Sequence, residues 1–247
     1  MKKKILTAVA IGAMGLGLAQ NASAASYADV VFMVDQSGSM GDEFGWISNS
    51  ISTIASSISS AGITANYGIA GYEYYAGTES SSNVFQDLTS DISLVISEAN
   101  AAGSSLYGYQ ERGYHAAEWS TNGFNWSGGD YAKVLILLTD EEGDQYSGIS
   151  ETDLGSLMTT SGILLNVITY QYYFNQWDDA VFSTTDGYHG LFDLSYLQSN
   201  PTAFTADFTA AKLTEIQNYN PTVPEPTTML LFGAGLAGLA AVSRRKK

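Results

Sequence analysis

The chain has 247 residues, no cysteine, and 25 acidic against 10 basic residues, for a formal charge of −15. Without thiols it can build neither a disulfide framework nor a cysteine-held metal or nucleophile. Most of the bases sit at the two ends, so residues 25–223 set 24 acids against three bases (Arg112, Lys133, Lys212), a net −21 that repels nucleic acid and anionic lipid and favours divalent cations.

In chain order, Lys2, Lys3 and Lys4 precede an apolar segment from Ile5 to Ala19, and Ala22-Ser23-Ala24 follows with small-x-small spacing. This predicts a signal peptide over residues 1–24, cleaved after Ala24, and export. "DVVFMV" (29–34) is a continuous apolar run, as expected of a strand buried on both faces, and it ends on Asp35. From Asp42 to Ser60, Phe44, Ile47, Ile51, Ile54, Ala55 and Ile58 recur at three or four, which predicts a helix with one buried stripe. Residues 63–77 are rich in β-branched and aromatic side chains and read as a strand that can fold back as a hairpin. Val84-Phe85 reads as a short edge strand. Asp91–Ala102 reads as a helix with a carboxylate at its positive end. Tyr107–Trp119 is a further helix, before a polar loop from Ser120 to Gly129. "AKVLILLTD" (132–140) is the most hydrophobic strand and also ends on an aspartate, Asp140. A short helix over 151–160, a third buried strand over 162–170 and a closing helix over 204–216 complete the body.

Buried strands alternating with amphipathic helices predict an α/β fold: a three-layer sandwich with a doubly wound, mainly parallel sheet and helices on both faces. Ligands of such sheets bind at the carboxyl ends of the strands. Asp35 and Asp140 then share one rim. A hard cation such as Mg²⁺ takes about six oxygens, and carboxylates with neutral hydroxyls can supply them. Alternate positions in a loop can turn Ser37 and Ser39 toward the ion while Gln36 and Gly38 face away. Hydroxyl ligands leave the ion with net positive charge for an outside oxygen donor.

Asp35, Ser37 and Ser39 after an apolar strand, with Thr139-Asp140 ending another about a hundred residues on, resemble the von Willebrand factor A-type (VWA) family and its metal-ion-dependent adhesion motif. The resemblance spans roughly residues 27–217. It implies that Asp35, Ser37, Ser39 and Asp140 are metal ligands for Mg²⁺, or for Mn²⁺ or Ca²⁺. The family's third loop usually supplies a threonine, and "AAGSSLYGYQERGYHAAEW" (101–119) has none. Ser105, beside Ser104, or Glu111, beside Gln110, can take that place, and a carboxylate would make the ion a poorer acceptor for an acidic ligand. Glu141, Glu142 and Asp144 read as a solvated acidic loop, and the tyrosine runs at 72–75 and 170–173 as packing residues. His115 and His189 share no metal spacing and have no nucleophile assigned beside them, and no phosphate-cradling or nucleophile-elbow pattern occurs, so no enzyme is expected.

The C-terminus holds Pro224-Glu225-Pro226, an apolar stretch from Met229 to Val242, and the bases Arg244, Arg245, Lys246 and Lys247. Three parts in this order resemble the PEP-CTERM sorting signal of Gram-negative bacteria. The resemblance implies transient anchoring in the inner membrane, then processing by an exosortase-type membrane protease. The expected organisation is a signal peptide (1–24), a VWA domain (25–218), a linker with the Pro-Glu-Pro motif (219–226) and a hydrophobic sorting tail (227–247). The expected function is an exported adhesion or interaction module at the cell surface or in the extracellular matrix, with a protein or extracellular polymer as partner. The alternative is a structural component of the envelope or exopolysaccharide matrix whose ion only stabilises it.

Overall fold

The computed structural model describes residues 26–73, 81–104, 106, 112–143, 148–182 and 190–219. Among these, six strands form one sheet in the order β3-β2-β1-β4-β5-β6. The strands are β1 (Tyr27–Asp35), β2 (Thr64–Glu73), β3 (Ser81–Thr89), β4 (Tyr131–Leu138), β5 (Ile163–Thr169) and β6 (Leu191–Asp193). All neighbours pair in parallel except β2 and β3, whose antiparallel hairpin places β3 at one edge.

The apolar runs are explained by two cores. Side chains alternate across a strand, so Val30, Phe32 and Val34 enter one core while Val31 and Met33 enter the other. On β4, Val134, Ile136 and Leu138 join the first core, and Leu135 and Leu137 the second. Helices α1 (Gly41–Ser60), α2 (Ile92–Ala102), α5 (Leu194–Ser199) and α6 (Pro201–Asn218) cover the first face. Helices α3 (Gly113–Gly123) and α4 (Glu151–Ser161) cover the second. This is the three-layer sandwich expected from the sequence.

Several boundaries differ. Of the 63–77 run, Thr64–Glu73 forms β2 and residues 74–77 lie outside the described residues, while the edge strand is longer than the Val84-Phe85 pair suggested. Helix α3 runs to Gly123 instead of ending at Trp119, and Ser120, expected to open the loop, is fully buried with its hydroxyl donating to the Ala117 carbonyl at 2.6 Å. Residues 107–111 of that expected helix lie outside the described residues. Helix α6 starts three residues early, with Pro201 in its first turn and the Asn200 side chain accepting from the Ala203 N–H. Both β6 and α5 went unpredicted, being too short to show a period.

Register sets the site. Val34 lies beside Leu138 of β4, and Asp35 beside Tyr72 of β2. One step past Val34 and Leu138 come Asp35 and Thr139, at the same level on adjacent strands. At the opposite pole, Tyr27 stacks on Tyr131, and the Tyr219 hydroxyl after α6 donates to the Gly162 carbonyl ahead of β5 at 3.4 Å.

Candidate metal site

Asp35 is fully buried although it closes a strand. The Gln36 N–H donates to the Tyr72 carbonyl at 2.9 Å, extending the pairing with β2 one residue past Asp35. The chain then turns: the Met40 N–H donates to the Ser37 carbonyl at 3.1 Å, and residues 38–40 form a single 3₁₀ turn leading into α1. The Ser37 N–H donates to Asp35 Oδ1 at 2.7 Å, so the carboxylate organises its own loop. This turn brings Ser37 Oγ and Ser39 Oγ to 3.0 Å from one another.

The second loop closes over the first. Thr139 continues from β4, its N–H held by the Ile168 carbonyl at 3.1 Å. Its hydroxyl donates to Asp35 Oδ2 at 3.0 Å and accepts the Glu141 N–H at 3.0 Å. Asp140 thereby faces the serines, and Ser37 Oγ donates to Asp140 Oδ1 at 3.5 Å. Asp35, Ser37 and Ser39 of the first loop and Asp140, about a hundred residues on, thus meet on one rim.

Adjacent ligands of an octahedral ion with bonds near 2.0–2.1 Å stand about 2.9 Å apart. The Ser37–Ser39 separation matches that edge, and the Ser37–Asp140 separation is slightly wider. The donor set fits a hard divalent cation. Among the described residues no three His, Cys, Asp or Glu side chains converge, and the oxygens that join the two carboxylates on this rim are the hydroxyls of Ser37 and Ser39.

Negative charge gathers beside it. Glu141 and Glu142 are exposed, as expected of a solvated loop. Partial burial, then the charges of Asp140 and Glu142, push the Glu141 carboxyl up. Tyr170, Tyr172 and Tyr173 adjoin this loop in and just before a 3₁₀ segment after β5, with Tyr172 stacked on Tyr170 at 5.2 Å and 66% exposed. These three tyrosines form a surface shelf, whereas Tyr72 is buried within β2. Partial desolvation against its neighbours, then Tyr170 and the charge of Asp140, push the Tyr172 phenol up.

The third-loop candidates Ser105 and Glu111 lie outside the described residues, as do Gln110, Asp144, His189, the cleavage site after Ala24 and Pro224-Glu225-Pro226. Ser104 is described, in the turn after α2, and its hydroxyl donates to the Asn100 carbonyl of that helix at 3.1 Å. Sequence reasoning missed the role of Thr139 as the link between Asp35 and the second loop. Its place before Asp140 was visible, but the partner of its hydroxyl depends on strand register.

Residues 29–218 match the model of the von Willebrand factor type A domain. The chain belongs to the VWA family. Residues 222–246 match the PEP-CTERM protein-sorting motif. Solved structures share the VWA fold. One is proximal thread matrix protein 1 from the mussel byssus, at 15% identity, 78% coverage of this chain, 47% of that chain and a TM-score of 0.56. The same mussel protein with a zinc-occupied MIDAS motif gives a TM-score of 0.58 at 15% identity, with 78% and 47% of the two chains covered. The pilus adhesin SpaC from Lactobacillus rhamnosus GG gives 0.53 at 15% identity, with 77% of this chain and 30% of that one covered. This VWA chain spans less than half the length of these proteins, and the likeness concerns the fold. Comparison with curated proteins gives no match. Among the described residues no helix is long and apolar enough to cross a membrane. The VWA domain and the sorting motif together suggest an exported adhesion or matrix protein.

Proposed function

We propose that this VWA domain holds a divalent cation of the Mg²⁺ type through Asp35, Ser37, Ser39 and Asp140, and captures a carboxylate or other oxygen donor from a partner protein or extracellular polymer. The observation that carries this reading is the convergence of two carboxylates and two neutral hydroxyls on one rim. Bound there, the cation supplies a Lewis-acidic position for the incoming oxygen. Asp35 and Asp140 provide the charge that retains it. Thr139 fixes the orientation of Asp35, and the two serines add ligand oxygens without neutralising the ion further. Ser105 or Glu111 completes the set from the third loop. The exposed Tyr172 beside Asp140 gives a partner an aromatic surface next to that position.

The domain occupies residues 25–218 of a chain whose signal peptide directs export and whose Pro-Glu-Pro motif directs exosortase processing. One metal-bound carboxylate gives weak affinity, so adhesion relies on many copies at the surface. Calorimetry of the purified protein with Mg²⁺, Mn²⁺ and Ca²⁺ tests the reading. Binding in the wild type and its loss in Asp35→Ala are expected. No heat with any of the three ions, or an unchanged isotherm in Asp35→Ala, refutes it.

The knitting of both loops through Asp35 also favours a second reading, in which the cation chiefly stabilises a matrix component. A large metal-dependent rise in melting temperature, without chelator-sensitive cross-linking to any partner on intact cells, selects that reading instead.

A further inference from the structure

Away from the rim, three polar side chains meet inside the apolar layer between β5 and α6. Asn166 sits at the centre of β5, where every residue is buried. Lys212 and Glu215 lie about one turn apart on α6. Their relative exposures are 0% for Asn166, 1% for Lys212 and 3% for Glu215. Lys212 Nζ donates to Asn166 Oδ1 and to Glu215 Oε2. Asn166 Nδ2 donates to Glu215 Oε1 at 2.9 Å and to the Leu164 carbonyl at 3.2 Å. The rings of Phe192 and Phe208 close over Nζ, their centroids 5.0 and 5.4 Å away.

A buried ion pair is a weak source of stability, because desolvation offsets the attraction between its charges. A carboxamide in the same apolar layer adds a further polar group to be satisfied. Chemically, however, the three groups are complete reactants: an amine, an acyl donor and a carboxyl touching both. We propose that Lys212 and Asn166 join in an intramolecular isopeptide bond formed by the chain itself, with Glu215 as the catalytic acid–base group.

The steps balance without a cofactor. The Lys212 ammonium gives one proton to Glu215 Oε2, and the neutral Nζ attacks Asn166 Cγ. Glu215 passes a proton to Nδ2, which it already contacts, and the Cγ–Nδ2 bond breaks. Ammonia leaves, the Nζ–Cγ amide remains, and the last proton from Nζ rests on Glu215. Burial lowers the proton affinity of the Lys212 amine, against the opposing pull of Glu215, and so favours the nucleophilic form. Primary amides are inert toward amines in water, but the site holds the amine against the amide, and well-oriented intramolecular reactions reach effective concentrations of about 10⁵–10⁸ M. The product also replaces a buried charge pair with a neutral amide and a neutral acid. Residues 166 and 212 would then close a covalent loop containing β6 and α5, and α6 would be tied directly to the sheet.

Proteolysis of the denatured full-length protein followed by tandem mass spectrometry tests this. The peptides carrying Asn166 and Lys212 are expected as one branched species, lighter than their sum by one ammonia. Glu215→Ala and Asn166→Ala should give separate peptides of unmodified mass, with circular dichroism confirming that each variant is folded. Separate, unmodified peptides from the wild type overturn the proposal even if a variant fails to fold. A link that persists in Glu215→Ala overturns the catalytic role of that residue. The result should not change with chelator, which separates this chemistry from the cation site.

Discussion

Replacing Thr139 with valine keeps the shape of the side chain and removes one hydroxyl. Thr139 is 1% exposed, so no large reshaping is expected, and Asp35 Oδ2 loses a donor held at 3.0 Å. A hydrogen bond to a charged group contributes about 1.5–3 kcal/mol. The Glu141 N–H also loses its acceptor, but it lies in an exposed loop where water can replace the bond. The expected loss is therefore about 2–3 kcal/mol. For a domain of this size that lowers the melting temperature by about 4–12 °C. On the proposed function, in which Thr139 orients a cation-binding carboxylate, cation affinity should fall about 10–100-fold as well. Urea denaturation and cation titration of the same variant measure both effects. A stability loss below about 0.5 kcal/mol, the range of ordinary surface substitutions, would refute the idea that Thr139 anchors Asp35. Unchanged cation affinity would refute its positioning role.

Mg²⁺ at about 100 times its dissociation constant should stabilise the protein by about 2.7 kcal/mol, and Asp140→Ala should abolish this difference in thermal melts with and without chelator. Gly155→Ala should destabilise the fold by about 1–3 kcal/mol in chemical denaturation, although alanine is the better helix former. A Cβ there would meet the Asp179 carbonyl oxygen at 2.3 Å. Burial raises the Glu43 carboxyl above its ordinary value of 4.5, partly opposed by the Gln198 hydrogen bond. Between 4.5 and that raised folded value the native state binds more protons than the unfolded chain, so this group's contribution to stability falls as pH rises through the window. Glu43→Gln should flatten that segment of a pH–stability curve, and an unaltered slope would count against the assignment.

The layered fold was legible because β1, β4 and β5 are hydrophobic on both faces and the long helices carry regular apolar stripes. The site was legible for a related reason: a charge that ends a buried strand is conspicuous. Thr139, by contrast, gains its role only once register sets it level with Asp35. Lys212, Glu215 and Asn166 were harder still. Lysine and glutamate three residues apart on a helix look like an ordinary exposed pair, and one asparagine in an apolar strand looks like an interruption. Only the packing of α6 against β5 reveals that they face one another. The β6–α5 connection escaped because three- and six-residue elements are defined by their neighbours and not by a period of their own.

Both described ends of the domain lie at the pole opposite Asp35, where Tyr27 begins β1 and Tyr219 follows α6. The sorting motif begins at residue 222, shortly after Tyr219. Nine residues of β1 at about 3.3 Å each separate that pole from the rim by about 30 Å. Any tether acting through the C-terminus therefore grips the domain by its base and leaves the rim of Asp35, Ser37, Ser39 and Asp140 at the far end, facing away from the point of attachment.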